Sequence, residues 1–358
     1  MKKRFAKYQP HRKSDFYKTL QKEVYAYLNS RQNTAYADQW MLLKIAFCLG
    51  LFIVAYSGYI SSDGTYATWL AWCLLLGFAS FLVGVNIGHD AVHRSLFKTA
   101  WLNRLAGFSF DLIGISSYMW RLKHNVVHHR FPNVTEVDYD IEAGPILRLS
   151  PAEKRRWFHA WQHWYAPLVY IFFSFHLILA NDVKLLAEGR KKIDGRPHPA
   201  WVYAAIPLLK ISYLFYMIVL PIILLPFPWW KIVLGYVLMQ AALCLVLALV
   251  LLPSHLFEHT EYKKPSGNNT IHDDWAMHQL SSTLDFASKS RLANFLFGGF
   301  NTNVVHHLFP KVCHIHHVRL VSILEQRAGE FNVPYHRTSF MNAVRSHFKA
   351  LKRLGNHD

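Results

Sequence analysis

Four long apolar runs dominate the pattern of hydrophobic and polar positions along the chain. A helix rises about 1.5 Å per residue, so roughly 20 apolar residues cross a hydrocarbon core of about 30 Å. Short connectors, 61–65 and 228–231, join the runs in pairs. The pattern therefore predicts an all-α integral membrane protein with four transmembrane helices in two hairpins. These spans are expected at about 41–60, 66–88, 209–227 and 232–252.

The polar segments outside the hairpins define the expected domain organisation. Residues 1–40 form a basic N-terminal segment in which Phe16, Leu20, Val24 and Leu28 recur at helical spacing. This spacing predicts an amphipathic helix that lies on a membrane surface. The remainder is expected to be one domain with a helical cap; the ranges are 41–358 for the domain and 89–208 and 253–358 for the cap.

A fifth apolar run, 164–180, is at the lower length limit for a membrane span and contains His176. A single crossing there would place Arg190, Lys191 and Lys192 on the opposite side of the membrane and would reverse the second hairpin. We therefore predict that this run is a re-entrant or interfacial helix.

The charge of the chain follows this topology. Its 358 residues include 39 Lys plus Arg and 22 Asp plus Glu, which gives a formal net charge of +17. Nearly all the basic residues lie outside the two connectors, and the positive-inside rule then predicts that the cap faces the cytoplasm, here of a bacterial inner membrane. Since topology accounts for the excess, no nucleic-acid partner is expected. Lys210, near the start of the third run, is expected to snorkel to the interface.

Three histidine clusters carry the chemical signal, and each lies on the predicted cap side of the membrane. In the first two clusters, one pair of histidines is spaced by four residues, which places both rings on one face of a helix. His129 directly follows such a pair and is expected to point about 100° away from His128. Accidental surface clusters are the alternative, and the matched position at span ends argues against it. The clusters are His89 and His93, then His124, His128 and His129, then His306 and His307.

Seven imidazoles exceed the three protein ligands of a catalytic zinc site, so two metal ions are the economical interpretation. His255 follows the fourth span and reaches the same depth, which makes it a further candidate ligand. Imidazole suits iron, copper, nickel and zinc, so ligand type alone leaves the metal open. Metal-bound imidazoles usually donate their second N–H group to a carboxylate or carbonyl. Candidates for that role are Asp90, Asp138, Asp140, Glu258 and Glu261.

The remaining histidines have simpler interpretations. His314, His316 and His317 are expected to lie behind the ligands or at the surface. His163 lies beside the fifth apolar run and His176 within it, so both are expected to pack or to lie at the interface. The isolated histidines are expected to be solvated: His11, His159, His198, His272, His278, His336, His347 and His357.

The histidine motifs resemble those of the membrane-bound fatty acid desaturases over roughly residues 15–320. Residues 86–93, NIGHDAVH, are similar to the first histidine box of that family, and residues 120–129, WRLKHNVVHH, to the second. Residues 298–310 run from GGFN into HHLFP and are similar to the third box of the front-end subgroup, which includes delta-5, delta-6 and linoleoyl-CoA desaturases.

The resemblance implies a fatty acyl desaturase that introduces a cis double bond. It implies two iron ions, O2 as co-substrate, and an acyl chain on CoA, a carrier protein or a membrane lipid, held in a hydrophobic tunnel. A separate electron donor is implied, such as ferredoxin or cytochrome b5 with its reductase. It implies no catalytic side chain beyond the iron ligands. Carried over residue by residue, those ligands are His89, His93, His124, His128, His129, His255, His306 and His307.

Two departures from the family pattern bear on the site. Asn303 stands where the family has Gln or His, and its amide is one methylene shorter than that of Gln. We therefore expect Asn303 to act through a hydrogen bond or a water molecule. Arg94 follows the first box where Gly is common. Together with Lys123 and Arg130, Arg94 is a candidate for binding the substrate head group.

Three alternative functions remain at the level of the sequence. A hydroxylase or ketolase of alkyl chains or carotenoids has the same histidine boxes and would leave oxygen in its product. A non-enzymatic metal transporter would need polar residues along its spans, where Asn86 and Gln240 are the main ones. A zinc hydrolase would use the ligand spacing of His89 and His93, but Asp90 is one carbon shorter than the usual general base.

Overall fold

The computed structural model describes residues 6–9, 14–30, 35–62, 64–142 and 144–356, apart from the side chain of Lys192. These residues are mainly helical, which confirms the all-α prediction. The helices are α1 (Asp15–Ser30), α2 (Gln39–Ser61), α3 (Tyr66–His93), α4 (Ala100–Leu112), α5 (Ser117–Arg121), α6 (Trp157–Tyr170), α7 (Phe173–Glu188), α8 (Lys191–Asp194), α9 (Ala200–Leu224), α10 (Trp229–Ser254), α11 (Trp275–Ser282), α12 (Arg291–Phe297), α13 (Asn303–Leu308), α14 (His317–Glu330) and α15 (Phe340–Asn356).

The strands in the described residues are two residues long and form two parallel pairs. β1 (Lys7–Tyr8) pairs with β2 (Thr270–Ile271). β3 (Asp285–Phe286) pairs with β4 (Arg337–Thr338). The first pair fastens the N-terminal segment to the cap, and the second joins two parts of the cap.

Among the described residues, four helices are each long and apolar enough to cross a membrane, as predicted: α2, α3, α9 and α10. Asp38 caps α2 by accepting a hydrogen bond from the Met41 N–H at 2.9 Å. Large apolar side chains on these helices are exposed, as expected for surfaces that contact lipid. Examples are Ile53, Leu208, Ile211 and Ile223.

The third span begins at Ala200 rather than at residue 209. Lys210 therefore lies inside the helix and does not snorkel to the interface. It is buried and donates to Asp182 at 2.5 Å and to the Gly114 carbonyl at 2.7 Å. A buried ammonium needs such partners because leaving water is costly for a charge. The contact joins α9 to α7.

The fifth apolar run belongs to two helices, α6 and α7, which meet at an angle of 70°. A bend of this size between apolar helices occurs in broken spans and in re-entrant pairs. Ser174 on α7 donates to Gln240 on α10 at 2.7 Å, so the bent pair packs against the fourth span. The re-entrant or interfacial position of 164–180 stays a prediction.

The N-terminal helix α1 packs on the cap. Phe16, Leu20 and Val24 are buried against apolar residues of α14, so its apolar face lies inside the protein rather than on a membrane surface. Arg327 on α14 also forms an ion pair with Glu23. The parts 1–5, 10–13 and 31–34 of the predicted N-terminal segment lie outside the described residues.

Candidate metal centre

Eight buried or partly buried histidines converge where the spans meet the cap. One group contains His89, His93, His124 and His306, and a second contains His128, His255 and His307. Within each group the candidate ligand atoms lie within 4.8 Å of one another. The ring of His129 lies between the groups, with its centroid 4.5 Å from that of His306 and 4.3 Å from that of His307. The structure thus brings together the eight histidines that the sequence indicates as ligands.

The first cluster lies at the end of α3. The helix widens into a π turn at Gly84–Gly88 and then tightens at His89–His93. Such π turns occur frequently at functional sites. The ring centroids of His89 and His93 lie 4.7 Å apart. Arg94 then ends the helix in a left-handed conformation, with φ of 59°.

The second cluster lies on the π-helix Leu122–His128, which follows α5. Its wider turn closes with a hydrogen bond from the His129 N–H to the His124 carbonyl at 2.9 Å. As a result, the Nε2 atoms of His124 and His129 lie 3.1 Å apart. Ordinary helix geometry predicted that His129 points about 100° away from His128. The π-helix instead turns the His129 ring toward that of His124, between the two groups.

The third cluster is the short helix α13, and a glycine pair leads into it. Gly298 and Gly299 have φ of 58° and 84°. A Cβ atom on Gly298 would lie 2.1 Å from the Val85 carbonyl oxygen, so only glycine lets this loop pack on the π turn of α3. Asp285 accepts a hydrogen bond from the Val304 N–H at 2.7 Å and fixes the first turn of α13. Burial raises the pKa of Asp285 to about 7.

Gly298→Ala is expected to destabilise the protein by about 2 kcal/mol or more and to lower the metal content, because the loop must move away from Val85. Thermal unfolding and metal analysis of the purified variant check this expectation. Gly267→Ala is the matched control, since its added methyl group has open space. Equal melting temperatures and metal contents for Gly298→Ala and wild type would contradict it.

Hydrogen bonds from outside the clusters orient individual rings. The His128 Nδ1–H group donates to Asp138 at 3.0 Å, and Asp138 is held by the backbone N–H groups of Asn133 and Asp140. The His307 Nδ1–H group donates to the Gln279 side-chain oxygen at 2.9 Å. Both contacts leave Nε2 free to face the cluster. Gln279 was not anticipated, because it is uncharged and lies far from His307 in sequence.

The other predicted carboxylates have different partners. Asp90 accepts from His314 Nδ1 at 2.8 Å and lies 3.9 Å from His89 Nδ1. Asp140 pairs mainly with Lys123 at 2.6 Å and lies 3.4 Å from His128 Nδ1. Thus Asp90 and Asp140 lie next to the site, and they bind His314 and Lys123, which are outside the set of candidate ligands.

Glu258 and Glu261 were predicted to orient ligands, and the structure places both with surface cations instead. The carboxylate of Glu258 pairs with Lys349 at 3.3 Å, and that of Glu261 pairs with Lys263 at 2.9 Å. Their proximity to His255 in sequence was misleading because the chain turns away from the site after His255.

Asp138→Asn is expected to weaken metal binding by about 10-fold to 100-fold, because a neutral amide orients and polarises His128 less well than a carboxylate. Chelator competition on the purified protein measures this affinity. Glu258→Gln removes a carboxylate that does not contact a cluster histidine and should leave the affinity unchanged. An unchanged affinity in Asp138→Asn would contradict the proposed role.

His255 and Asn303 lie side by side at the second group. His255 Nε2 is 3.2 Å from His128 Nε2, and the Asn303 amide nitrogen is 2.8 Å from His255 Nε2. His255 therefore faces the same point as His128. Asn303 is placed to hold that ring or a water molecule, as predicted, and its role stays a prediction.

Burial keeps most of these rings neutral, which metal binding requires. It lowers the pKa well below the usual histidine value, and neighbouring histidines lower it further. The residues affected in the cap are His124, His129, His255, His306 and His307. His128 differs: burial lowers its pKa, but Asp138 and Asp140 outweigh that effect and raise it above the usual value.

Several ring nitrogens of the cluster lack a hydrogen-bond partner in the part of the chain that the structure describes, and a metal ion would supply one ligand bond to each. The Nε2 atoms of His93, His306 and His307 are buried and have no hydrogen-bond partner among the described residues. Unsatisfied buried polar atoms are costly, and a cation bound by their lone pairs removes that cost. An all-imidazole donor set suits iron, copper, nickel or zinc. The residues present therefore fit a centre with two metal ions.

Comparison with known proteins identifies the chain. The sequence profile of the family described as fatty acid desaturase matches residues 67–339. The chain belongs to the fatty acid desaturase family. It is 34% identical to the sn-1 linoleoyl-lipid 6-desaturase of Arthrospira platensis, over 95% of this chain and 92% of that protein. It is 32% identical to the acyl-lipid (8-3)-desaturase of Physcomitrium patens, over 99% and 74%, and 29% identical to the sn-1 linoleoyl-lipid 6-desaturase of Synechocystis sp., over 96% and 96%.

These relatives confirm the resemblance to front-end desaturases. The protein is an oxidoreductase, a fatty acyl desaturase, and its candidate membrane helices agree with the membrane-bound family. Its substrate class is a fatty acyl chain. Its candidate membrane helices also contact membrane lipids. The hydroxylase, transporter and hydrolase alternatives are set aside.

An apolar cavity of the desaturase reaches one histidine of the centre, His89, and extends between the spans. His89, Trp120 and Phe300 line it near the centre, and Leu243 and Leu247 of α10 line it within the membrane region. Gln240 and Tyr213 also line it, and the Gln240 amide donates to the Tyr213 hydroxyl at 2.8 Å. The cavity therefore has mainly apolar walls, and three of its polar side chains, Ser174, Gln240 and Tyr213, are hydrogen-bonded to one another.

Two of the three predicted head-group residues border a second, cationic cavity of the desaturase. Arg94 and Arg130 line it, together with His93. Lys123 does not: its side chain is buried and pairs with Asp140. The contact of Lys123 with a head group stays a prediction.

Several histidines predicted to be solvated are buried in the desaturase instead. His347 accepts from the Tyr170 hydroxyl at 2.6 Å, and His278 donates to the Pro132 carbonyl at 2.9 Å. His159 and His198 are also buried, while His11 and His357 lie outside the described residues. These rings hold the cap together, a role that isolated sequence positions did not indicate.

Proposed function

We propose that this desaturase uses O2 and two iron ions to introduce a cis double bond into a long acyl chain. The proposal rests on the convergence of eight histidines around two groups, one of which reaches an apolar cavity through His89. The proposed ligands of one ion are His89, His93, His124 and His306, and those of the other are His128, His255 and His307, with His129 between them. When bound, iron supplies the redox chemistry that activates O2 and removes hydrogen from an unactivated methylene group.

The protein side chains position the substrate and protect the site. The apolar cavity holds the chain so that two adjacent methylene groups lie at the histidines, and its walls exclude water. Arg94 and Arg130 line the second cavity and are proposed to contact the polar end of the substrate. Asp138 and Gln279 fix the rings of His128 and His307.

The overall reaction removes two hydrogen atoms from the chain and reduces O2 to two molecules of water. Its balance needs two further electrons, together with two protons. A separate donor is proposed to deliver them, such as ferredoxin or cytochrome b5 with its reductase. The named relatives act on acyl-lipids or a linoleoyl-lipid, which supports a lipid-bound acyl chain as the substrate, with acyl-CoA or an acyl carrier protein as alternatives.

The proposed topology follows from charge. The excess of basic residues in the cap supports a cytoplasmic active site and a bacterial inner-membrane location. The proposed organisation is a basic N-terminal segment, 1–40, followed by a single desaturase domain, 41–358, in which α1 and the cap form one packed unit.

Expression in a bacterial host that makes no polyunsaturated fatty acids, together with a ferredoxin and its reductase, tests the proposal. Mass spectrometry of the lipids is expected to show a new double bond. A host that expresses the His306→Ala variant should show no new double bond. If a working donor is present and no double bond forms, or if oxygen remains in the product, the proposal fails.

A further inference from the structure

A cationic basin of about 530 Å³ opens beside the first two histidine clusters. Its lining includes His93 and Asn125, so it reaches the edge of the metal centre. Six cationic side chains and one carboxylate, that of Asp194, border it, so the lining has a net charge of +5. The six cations are Arg94, Arg121, Arg130, Arg190, Arg196 and Lys311.

These cations come from separate parts of the fold. Arg94 ends α3, Arg121 and Arg130 flank the second cluster, and Lys311 follows the third. Arg190 already has a partner, because it binds Asp194 at 2.6 Å. Within the described residues, no carboxylate forms an ion pair with the other five cations.

The cations also lie close enough to affect one another. Burial lowers the pKa of Arg121, and the charges of Arg94, Arg190 and Arg104 lower it further. A general excess of positive charge on one side of a membrane does not require such crowding. Convergence of unpaired cations on one cavity is instead typical of a site for an anion.

Arg94 adds a conformational argument. Its φ of 59° lies in the left-handed region that favours glycine. Glycine would relieve this strain, yet the position carries a cation at the edge of the basin. Strained backbone of this kind occurs where function requires a particular side chain.

The base of the basin is apolar. Val92, Leu122, Phe131 and Ile193 line it and are buried. The Asn125 side-chain oxygen is buried there without a hydrogen-bond partner among the described residues. A cationic rim above an apolar base matches a phosphate group joined to the first atoms of an acyl chain.

We propose that the cationic basin binds the phosphate of the acyl carrier, so that the desaturase acts on chains attached to a phosphate-bearing carrier rather than to an uncharged glycolipid. This inference rests on the proposed function. Arg94 and Arg130 are the principal contacts, since guanidinium groups bind phosphate with two parallel hydrogen bonds. Phosphate-bearing carriers include phospholipids and acyl-CoA.

Binding measured by native mass spectrometry tests the inference on the purified, metal-loaded full chain. The probes carry the same linoleoyl chains on phosphatidylglycerol, on CoA and on monogalactosyldiacylglycerol. We expect one or both phosphate carriers to bind at least tenfold more tightly than the galactolipid, and the stronger of the two identifies the source. Arg94→Gln/Arg130→Gln should remove this preference.

Arg291→Gln/Arg319→Gln is the matched control, since it removes two exposed arginines outside the basin. It should keep the preference, and retained metal content in both variants shows that they are folded. Equal binding of the galactolipid, or an unchanged preference in the Arg94/Arg130 variant, would overturn the inference.

The outcomes separate the two proposals. A charge-dependent preference without a new double bond in the expression host supports the basin and refutes the proposed function. A new double bond without the preference supports the function and refutes the basin.

Discussion

Replacing His307 with Ala is expected to reduce desaturation to background. His307 is fully buried, its Nδ1–H group is fixed by Gln279, and its Nε2 atom faces the second group without a partner among the described residues. Alanine removes that candidate ligand. The second group would then retain only His128 and His255, with His129 shared, so its metal should be lost during purification.

The product is measured as the fraction of host acyl chains with the new double bond, and metal content is measured on the same preparation. His272→Ala is the control, because His272 is exposed and lies outside both groups. Substantial desaturation by His307→Ala would show that His307 is not a required ligand.

Blocking the apolar cavity is expected to stop the reaction while the metal stays bound. Leu247 lies on α10 and lines the cavity, so Leu247→Trp places a large ring in the path proposed for the acyl chain. A displacement of about 1 Å at reacting atoms can cost roughly 100-fold in rate, so a blocked path should lower product formation by at least tenfold. Shorter acyl chains should be affected less than longer ones.

Leu238→Trp is a matched control on the same helix, because Leu238 is exposed on the lipid-facing surface. Both variants should keep the metal content of the wild type. Normal activity in Leu247→Trp, or equal losses in the two variants, would place the acyl chain outside this cavity.

The sequence predicted the parts of the fold that depend on composition and local spacing. The four apolar runs predicted α2, α3, α9 and α10, because spanning a membrane requires long uninterrupted apolar segments. The predicted start of the third span, beside the charged Lys210, was incorrect. Lys210 was assigned to a span end, although Asp182 neutralises it inside the protein. That partner lies in another helix, so the sequence pattern did not reveal the pair.

The candidate site shows the same division. The histidine boxes identified seven of the eight rings that converge, since their residue types and spacing carry the signal, and His255 was identified from its position after the fourth span. The orientation of His129 was missed because it depends on the π-helix Leu122–His128. Gln279 was missed because it lies on α11, 28 residues from His307 in sequence, although the two side chains are in contact. Glu258 was assigned wrongly because it lies close to His255 in sequence, yet its carboxylate pairs with Lys349 away from the site.

The metal content of the wild-type protein decides whether the histidines hold two iron ions. The full chain is purified anaerobically from cells grown with both iron and zinc, and each metal is counted per chain by mass spectrometry. The two histidine groups predict two iron ions per chain. Two zinc ions, or a single metal ion per fully folded chain, would contradict the account.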